Sequence, residues 1–287
     1  MISLDAVLPV VALVTLVASA GVGIAAILVR PAVPSTSQGP ELADSSPPGM
    51  ARVAAGGLVV ALGILTLALV TRTVVTGHAP WSNLHEFSLA FAAALIAAFL
   101  VLGRSDAAGA LAPLAATLAA GVLAVGLGLD SRVDALVPAL QQPVLLTVHV
   151  GSAVLAYAIA GVAVLAAVAE LAQRASGGRI RALPTAAGAR ALGHRAVLIG
   201  FPVLTLAIAL GSVWANLAWR SYWSNDPKEL AAAATWLVFG AYLHVAGRRD
   251  RWERLAPWLI VAGFAGVLFT YLVAGLVIVG EHSYGVP

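Results

Sequence analysis

The chain has 287 residues, of which 61% are hydrophobic and 10% are charged, and its mean hydropathy is +0.96. Because soluble domains carry roughly 25% charged residues, this composition excludes a soluble globular protein. The formal net charge is +3, but its distribution along the chain argues against binding to nucleic acid. The sequence has no cysteine, which excludes disulfides, thiolate nucleophiles and sulfur ligands to a metal.

Eight apolar segments are each long enough to cross a bilayer as a helix, which takes about 20 residues. The roughly ten-residue alternating segments of a transmembrane β-barrel are not found. The sequence therefore predicts an all-α, polytopic helical membrane protein that forms a single domain over residues 1–287. The first segment has no basic region before it, so we expect a retained helix rather than a signal peptide. The eight segments are residues 6–29, 53–76, 84–103, 109–128, 144–172, 196–214, 230–247 and 256–279.

The basic residues are divided unequally between the two sets of loops. Four of them, Arg72, Arg132, Arg220 and Lys228, lie in loops on one side of the predicted membrane. By the positive-inside rule the side with more basic residues is cytoplasmic, so both termini are predicted to be extracytoplasmic. The twelve on the cytoplasmic side are Arg30, Arg52, Arg104, Arg174, Arg179, Arg181, Arg190, Arg195, Arg248, Arg249, Arg251 and Arg254.

Two cytoplasmic connections stand out by composition. Residues 31–50 are rich in Pro, Ser and Gly, which predicts a flexible linker between the first two spans. Residues 173–195 are basic and rich in Gly and Ala, and we interpret them as a cytoplasmic loop that orients the chain in the membrane.

Residues 211–229, GSVWANLAWRSYWSNDPKE, form the densest aromatic region of the chain and are called the tryptophan-rich segment below. We predict that the segment is an extracytoplasmic loop. If it is helical, Trp219, Tyr222 and Trp223 share one face and offer a surface on which a flat macrocycle would stack. Asp226 and Pro227 are typical of an N-cap and a first helical position. The alternative is an aromatic belt at the membrane interface, although belts distribute their aromatic residues over many helices.

Three histidines are candidate ligands for haem iron. His149 begins the fifth span and His282 follows the eighth, so both are predicted on the extracytoplasmic side. Two imidazoles from separate helices suit the two axial positions of a haem iron. His244 lies about 20 Å deeper along the seventh span. It cannot share that haem and would bind a second one, with a ligand from another chain.

The other three histidines have simpler interpretations. We expect His78 and His85 to form structural hydrogen bonds, and His194 to be a solvated residue of the basic loop. Three acidic residues near helix starts, Glu86, Asp226 and Glu229, are interpreted as helix caps, with proton transfer as the alternative. Lys228, Arg220 or Arg132 would supply cationic donors to haem propionates.

Several segments resemble the CcsA/ResC family of cytochrome c biogenesis proteins, in the order expected for that family. Besides the tryptophan-rich segment, the similar segments are GHAPWSNLHEFS (77–88), GFPVLTLAIALGSVWANLAW (200–219), PKEL (227–230), TWLVFGAYLH (235–244) and GEHSYG (280–285). The chain departs from the family pattern at three positions. Arg220 replaces a usual Gly, Asn225 a usual Trp and His85 a usual Tyr.

The resemblance implies that the protein binds haem b and presents it at the extracytoplasmic face of the plasma membrane for covalent attachment to apocytochrome c. By this resemblance His149 and His282 are the external axial ligands and His244 is the ligand of the inner haem site. The implied partners are a CcsB/ResB-type membrane subunit, an apocytochrome c with a Cys-x-x-Cys-His motif and a thiol-reducing protein. Together they would form a holocytochrome c synthase complex. The other implied haem contacts are Trp214, Trp219, Tyr222, Trp223, Asp226 and Lys228.

Two alternatives remain open. A membrane cytochrome b-type electron carrier would hold permanent haems, but it usually needs paired histidines at matched depths. A transporter of haem or another hydrophobic solute favours broken helices and polar groups near the midplane. In this sequence the polar motifs lie at the predicted extracytoplasmic face.

Overall fold

A computed structural model describes residues 4–28, 48–103, 109–132, 143–180, 182–248, 251–278 and 280. Its described residues form helices and contain no strand, so the predicted all-α polytopic fold is confirmed. A 3₁₀ turn (Arg251–Arg254) precedes the last helix, which continues into a π-helical turn (Phe269–Val273) and a final helical turn (Ala274–Leu276). The eight main helices are α1 (Leu4–Leu28), α2 (Pro48–Thr76), α3 (Leu84–Leu102), α4 (Ala112–Leu127), α5 (Pro143–Ala175), α6 (Ala186–Trp219), α7 (Pro227–Val245) and α8 (Ala256–Leu268).

These eight helices coincide with the eight predicted spans. Six spans are long and apolar enough to cross a membrane, by length and composition, and the last of them, Trp252–Val273, joins α8 to the 3₁₀ and π-helical turns on either side of it. Helix α4 is apolar but has 16 residues. Helix α7 is not among the six, since Lys228, Glu229 and His244 lower its hydropathy.

Ion pairs show which helix ends lie together. Arg72, near the end of α2, contacts Asp5 at the start of α1 (3.3 Å) and Glu86 at the start of α3 (2.8 Å). We call this the aromatic end, because the tryptophan-rich segment between α6 and α7 also lies there. The opposite end, called the basic end, holds residues 176–180 and 182–185 between α5 and α6 and the turn before α8. The assignment of the basic end to the cytoplasm stays a prediction.

The ion pair of Arg72 and Glu86 is almost completely buried. Glu86 is 0% exposed, and its carboxylate also accepts hydrogen bonds from the backbone N–H and the hydroxyl of Ser82. Arg72 in turn donates to the carbonyl of Ser131 (2.6 Å). Separating the partners would leave a buried charge unpaired, which is costly. The network therefore fixes α2, α3 and the turn after α4 against one another. Sequence reasoning treated Arg72 only as an orientation signal and missed this role.

A second network joins helices at the basic end. The buried Glu170 of α5 accepts from Arg174 (2.7 Å) and from Arg190 of α6 (3.0 Å). Arg190 also contacts Glu253 of the 3₁₀ turn, at 2.5 Å. Gln173 donates to the carbonyls of three residues of the α5–α6 connection, and this connection is thereby held against α5.

Helices α3 and α5 form the centre of the bundle. In an 18-residue stretch of the α5 span 78% of the residues are buried, against 22% in a stretch of the same length in the α6 span. Close approach of α5 and α6 depends on small residues, since a Cβ at Gly200 of α6 would lie 2.9 Å from Ile159 of α5. The bundle therefore leaves one long face of α6 uncovered by its own helices.

Three predicted boundaries differ from the observed ones. Helix α6 continues to Trp219, so the first half of the tryptophan-rich segment is helical rather than a loop. Helix α6 also begins at Ala186, which places His194 inside it. There the His194 Nδ1 lies 3.2 Å from the hydroxyl of Tyr242, so the prediction of a solvated loop residue was wrong. In the predicted linker, residues 31–47 lie outside the described residues, and 48–50 begin α2.

Candidate functional site

The position of His149 is fixed by contacts with α6. Its Nδ1 lies 2.9 Å from the carbonyl oxygen of Ala207. A carbonyl only accepts, so Nδ1–H is the donor, and in the neutral imidazole the lone pair is then on Nε2. The imidazole also stacks on the indole of Trp214, with a centroid distance of 6.0 Å and an interplanar angle of 15°. A backbone carbonyl that accepts from one ring nitrogen is the usual way in which proteins orient a metal-binding histidine.

Gly211 makes room for this imidazole. A Cβ at Gly211 would lie 2.6 Å from the Cε1 atom of His149, so a larger residue would displace the ring. Trp214 is 2% exposed and packs edge-on against Trp219, at a centroid distance of 4.8 Å. We call these four residues the His149 corner. Sequence reasoning missed Gly211, because only the pairing of α5 with α6 reveals its neighbour.

Arg220 caps the C-terminal end of helix α6 and adopts a left-handed conformation with φ of 63°. Its backbone N–H donates to the carbonyl of Asn216, a common helix C-terminal motif that favours glycine. The helix therefore stops before Tyr222 and Trp223. The condition for a shared helical face with Trp219, that the segment is helical as far as Trp223, is not met. Both are accessible, at 60% and 42% exposed.

Side-chain hydrogen bonds hold the non-helical residues 220–226 in place. Ser212 of α6 donates to the carbonyl of Tyr222 (2.8 Å), and Ser221 donates to the carbonyl of Trp223 (2.9 Å). The Trp223 indole N–H donates to the Asn225 side chain (2.9 Å). Asn225 has φ of 60°, a conformation that Asn tolerates better than Trp does. Asn225 thus positions Trp223, although the family usually has another indole at this place.

Helix α7 starts as the sequence predicts. Asp226 is its N-cap and Pro227 its first residue, and Glu229 completes a capping box with the backbone of Asp226. Glu229 also accepts from the backbone N–H of Ser224 (2.8 Å). The interpretation of Asp226 and Glu229 as caps is confirmed.

The predicted cationic donors are in different situations. Lys228 lies in the first turn of α7 and is half-buried, whereas Arg220 is exposed at the end of α6. Arg132 is exposed and pairs with Asp130 at 2.5 Å. Hydrogen bonds from Arg132 hold the pKa of the Asp130 carboxyl at about 2. The role of these cations toward propionates stays a prediction.

His282 lies outside the described residues. Gly280, two residues before it, lies against the start of α7. A Cβ added at Gly280 would clash with the Asp226 carboxylate and would lie 3.0 Å from Cδ of Pro227. The chain that leads to His282 therefore reaches the aromatic end beside the tryptophan-rich segment.

His244 lies at the other end of the bundle. It precedes the last residue of α7, 18 residues after Asp226, which corresponds to about 27 Å of helix. Thr235, Phe239 and Tyr242 form the buried stripe of α7, whereas His244 is exposed on the outward face. Its Nε2 lies 3.2 Å from a guanidinium nitrogen of Arg248. This separation from the His149 corner agrees with two separate sites.

The remaining histidines make local hydrogen bonds. His85 is buried, and its Nδ1–H donates to the carbonyl of Gly126 (2.8 Å). The Nδ1 of His78 lies 2.9 Å from the carbonyl of Ala79. Both contacts agree with the structural interpretation. Among the described residues no group of three or more His, Asp or Glu side chains is placed to hold a metal ion.

The model of the family described as "Cytochrome C assembly protein" matches residues 81–282, which include α3 to α8. The chain belongs to this family. It is 33% identical over 262 residues to the cytochrome c biogenesis protein CcsA of Parasynechococcus marenigrum (strain WH8102), covering 79% of this chain and 85% of that protein. It is 32% identical to CcsA of Synechococcus sp. (strain CC9902), covering 85% and 89% of the two chains. The resemblance to CcsA is thereby confirmed, and the protein has a role in cytochrome c maturation.

Two further proteins are similar to this chain over only part of their own length. The CcsA of Chlamydomonas reinhardtii is 52% identical over 96 residues, which are 33% of this chain and 27% of that protein. Among solved structures, the cytochrome c haem lyase CcmF matches with a TM-score of 0.67 and 20% identity over 95% of this chain. This chain spans 47% of CcmF, so the two proteins share a fold over about half of CcmF's length.

Proposed function

We propose that this protein binds haem b as its cargo and presents it at the extracytoplasmic face of the plasma membrane for attachment to apocytochrome c. The observation that carries the proposal is the orientation of His149. Its Nδ1–H is engaged by the carbonyl of Ala207 and its ring is held by Trp214, so Nε2 is the nitrogen that would bind iron.

His282 is the proposed ligand on the other face of the ring. The last described residue before it, Gly280, lies against Asp226. The Ser212–Tyr222 hydrogen bond connects this region to the turn of α6 that holds Gly211. A haem between His149 and His282 would thus lie beside the tryptophan-rich segment.

The aromatic side chains of this segment have two proposed tasks. Trp214 and Trp219 support the imidazole of His149 from within the bundle. Tyr222 and Trp223 are exposed and would stack on the macrocycle or on the arriving apocytochrome. Lys228 is the proposed partner of a propionate, and Asp226 supports the site through the N-cap of α7.

His244 is the proposed ligand of a second, inner haem. Its exposed position on the outward face of α7 favours a haem that lies outside this chain's own helix bundle. The second axial ligand would then come from another chain, for which a CcsB/ResB-type membrane subunit is the proposed source. Helix α6, with its long uncovered face, leaves room for such a subunit beside α7.

The attachment itself needs groups that this chain does not have. Each thiol of an apocytochrome Cys-x-x-Cys-His motif would add its S–H across a haem vinyl group, forming a thioether with no leaving group. The chain has no cysteine, so the thiols belong to the apocytochrome, and a thiol-reducing partner would keep them available. This chain's contribution is to ligate the iron, orient the ring edge and expose it to the substrate.

The optical spectrum of the purified protein tests the proposal. Expressed in haem-replete cells, the protein should show a Soret band and α/β bands typical of bis-imidazole haem. His149→Ala should remove the fraction bound at the aromatic end, and His244→Ala should remove the inner fraction. His78→Ala is the matched control and should keep the spectrum. An unmodified protein without haem absorbance would refute the proposed function.

A further inference from the structure

The seam between α6 and α7 carries a row of aromatic and polar contacts from one end of the bundle to the other. At the basic end His194 contacts Tyr242, and at the aromatic end Ser212 contacts Tyr222. Between them, Phe201 and Thr205 of α6 both contact Trp236 of α7. The α6 residues of this row are spaced by about seven, four and seven positions, so they lie along one side of the helix.

The middle of this row is a pair of stacked aromatic rings. Phe201 and Trp236 lie with centroids 5.2 Å apart and an interplanar angle of 24°. The Trp236 indole N–H donates to the hydroxyl of Thr205 (2.8 Å), and this contact fixes the plane of the indole. A Cβ at Gly240 would lie 3.8 Å from the Phe201 ring, at ordinary contact distance. We call Phe201, Thr205 and Trp236 together the midway group.

The depth of Trp236 distinguishes it from an interfacial belt. It lies nine residues from Pro227 and nine from Val245, at the centre of α7. Tryptophan favours the two membrane interfaces, because its N–H needs a polar partner there. A tryptophan at mid-depth therefore needs a local partner, which Thr205 supplies, and a reason for its position.

The midway group also lies on the open side of the bundle. In an 18-residue stretch of the α6 span only 22% of the residues are buried, and Phe201 and Trp236 are themselves half-buried. His244 is eight residues beyond Trp236, about 12 Å along α7, and is exposed on an adjoining face. In the other direction Ser212 is seven residues beyond Thr205, about 10 Å along α6.

We propose that the midway group is a third haem contact, on which the cargo rests between the inner site at His244 and the outer site at His149. This inference rests on the proposed function and adds a route to it. The ring would stack on the accessible face of Trp236 without iron ligation, because no ligand side chain is present in the midway group. Weak stacking without ligation suits a transient station between two ligated sites.

The substitution Trp236→Leu tests the route. Trp258→Leu is the matched control, because Trp258 is a membrane-facing indole on α8 that is 57% exposed. An aromatic contact contributes about 0.5–1.5 kcal/mol, so we expect cytochrome c maturation to fall about two- to tenfold in Trp236→Leu. Trp236→Phe keeps a stacking ring, so cytochrome c maturation should fall less in this variant. Thr205→Val removes the hydroxyl, with its hydrogen bonds to the Trp236 indole and to the Phe201 carbonyl, and should give an intermediate loss of maturation.

Haem content separates a route defect from a folding defect. In a His149→Ala background, where bound haem is inner haem, Trp236→Leu should leave the haem per protein unchanged. In the otherwise unmodified protein the same substitution should lower the haem at the aromatic end. Equal maturation in Trp236→Leu and Trp258→Leu would overturn the inference, as would equal haem loss in both backgrounds. Absence of haem from the unmodified protein would instead refute the proposed function.

Discussion

The two histidines proposed as haem ligands differ in how the chain holds them. His149 lies in a corner that fixes both its tautomer and its plane, through the Ala207 carbonyl and the Trp214 ring. His244 lies on the outward face of α7, with a guanidinium of Arg248 beside its Nε2. The first imidazole is preorganised within the bundle, whereas the second is exposed on the surface of the bundle.

This difference predicts a division of labour. A preorganised ligand holds the cargo in the orientation that the attachment reaction needs, since small displacements at a reacting centre cost rate. A ligand on an open face accepts cargo from a neighbouring chain and releases it readily. The variants below test this contrast.

Removal of the His149 imidazole should have the largest effect. We expect His149→Ala to lower cytochrome c maturation by at least about a hundredfold, because losing even a supporting contact of a metal ligand costs about 10- to 100-fold. Added imidazole should restore part of the activity, since Trp214 still lines the empty space. Holocytochrome c measured by haem staining gives the result, and full maturation in His149→Ala would remove this residue from the ligands.

Displacement of the same imidazole should have the next largest effect. Gly211→Ala places a methyl group against His149, and we expect maturation to fall about tenfold or more through misplacement of the ring. Gly151→Ala on α5 is the matched control, because no atom lies within 4 Å of a Cβ there. Haem affinity and maturation are the measurements. Similar values for the two variants would show that the orientation of His149 is unimportant.

The cap of α7 distinguishes support from direct contact. Asp226→Ala should destabilise the protein by about 1 kcal/mol through loss of the N-cap. Asp226→Ser keeps a capping oxygen without the charge and should retain stability. Thermal unfolding and haem content are measured together. If Asp226→Ser is stable but loses haem, the carboxylate contacts the cargo directly.

The end of α6 should give the smallest change. Arg220 has φ of 63°, where glycine is favoured, so Arg220→Gly should stabilise the protein by about 1 kcal/mol. Arg179→Gly, in the exposed α5–α6 connection, is the control for loss of an arginine. Thermal unfolding in detergent provides the comparison. A loss of haem without a loss of stability would assign Arg220 to a propionate.

Hydropathy alone predicted the number and the approximate positions of the helices, because a bilayer span requires a long apolar run. The ends of the helices were less predictable. Nothing in the sequence marks Arg220 as a helix terminus, since the residue there is normally glycine. The sequence therefore left open whether a helical face continues to Tyr222 and Trp223, where the structure has an irregular segment held by Ser212 and Asn225.

One part of the candidate site was predictable from residue types. The N-cap role of Asp226 followed from its place before Pro227, whereas the histidine ligands stay a prediction. Contacts between helices were not predictable. Neither the space at Gly211 nor the buried pair of Arg72 and Glu86 has a local signal, because both depend on which helices are neighbours.

The π-helical turn at Phe269–Val273 determines how the chain leaves the last helix. A π turn is an α-helix with one residue added, and each residue advances the helix by about 100°. Deletion of one residue here would restore a regular helix and rotate everything that follows by that angle. Gly280 would then move away from Asp226. A single inserted residue in the last helix thus sets how the chain approaches the start of α7.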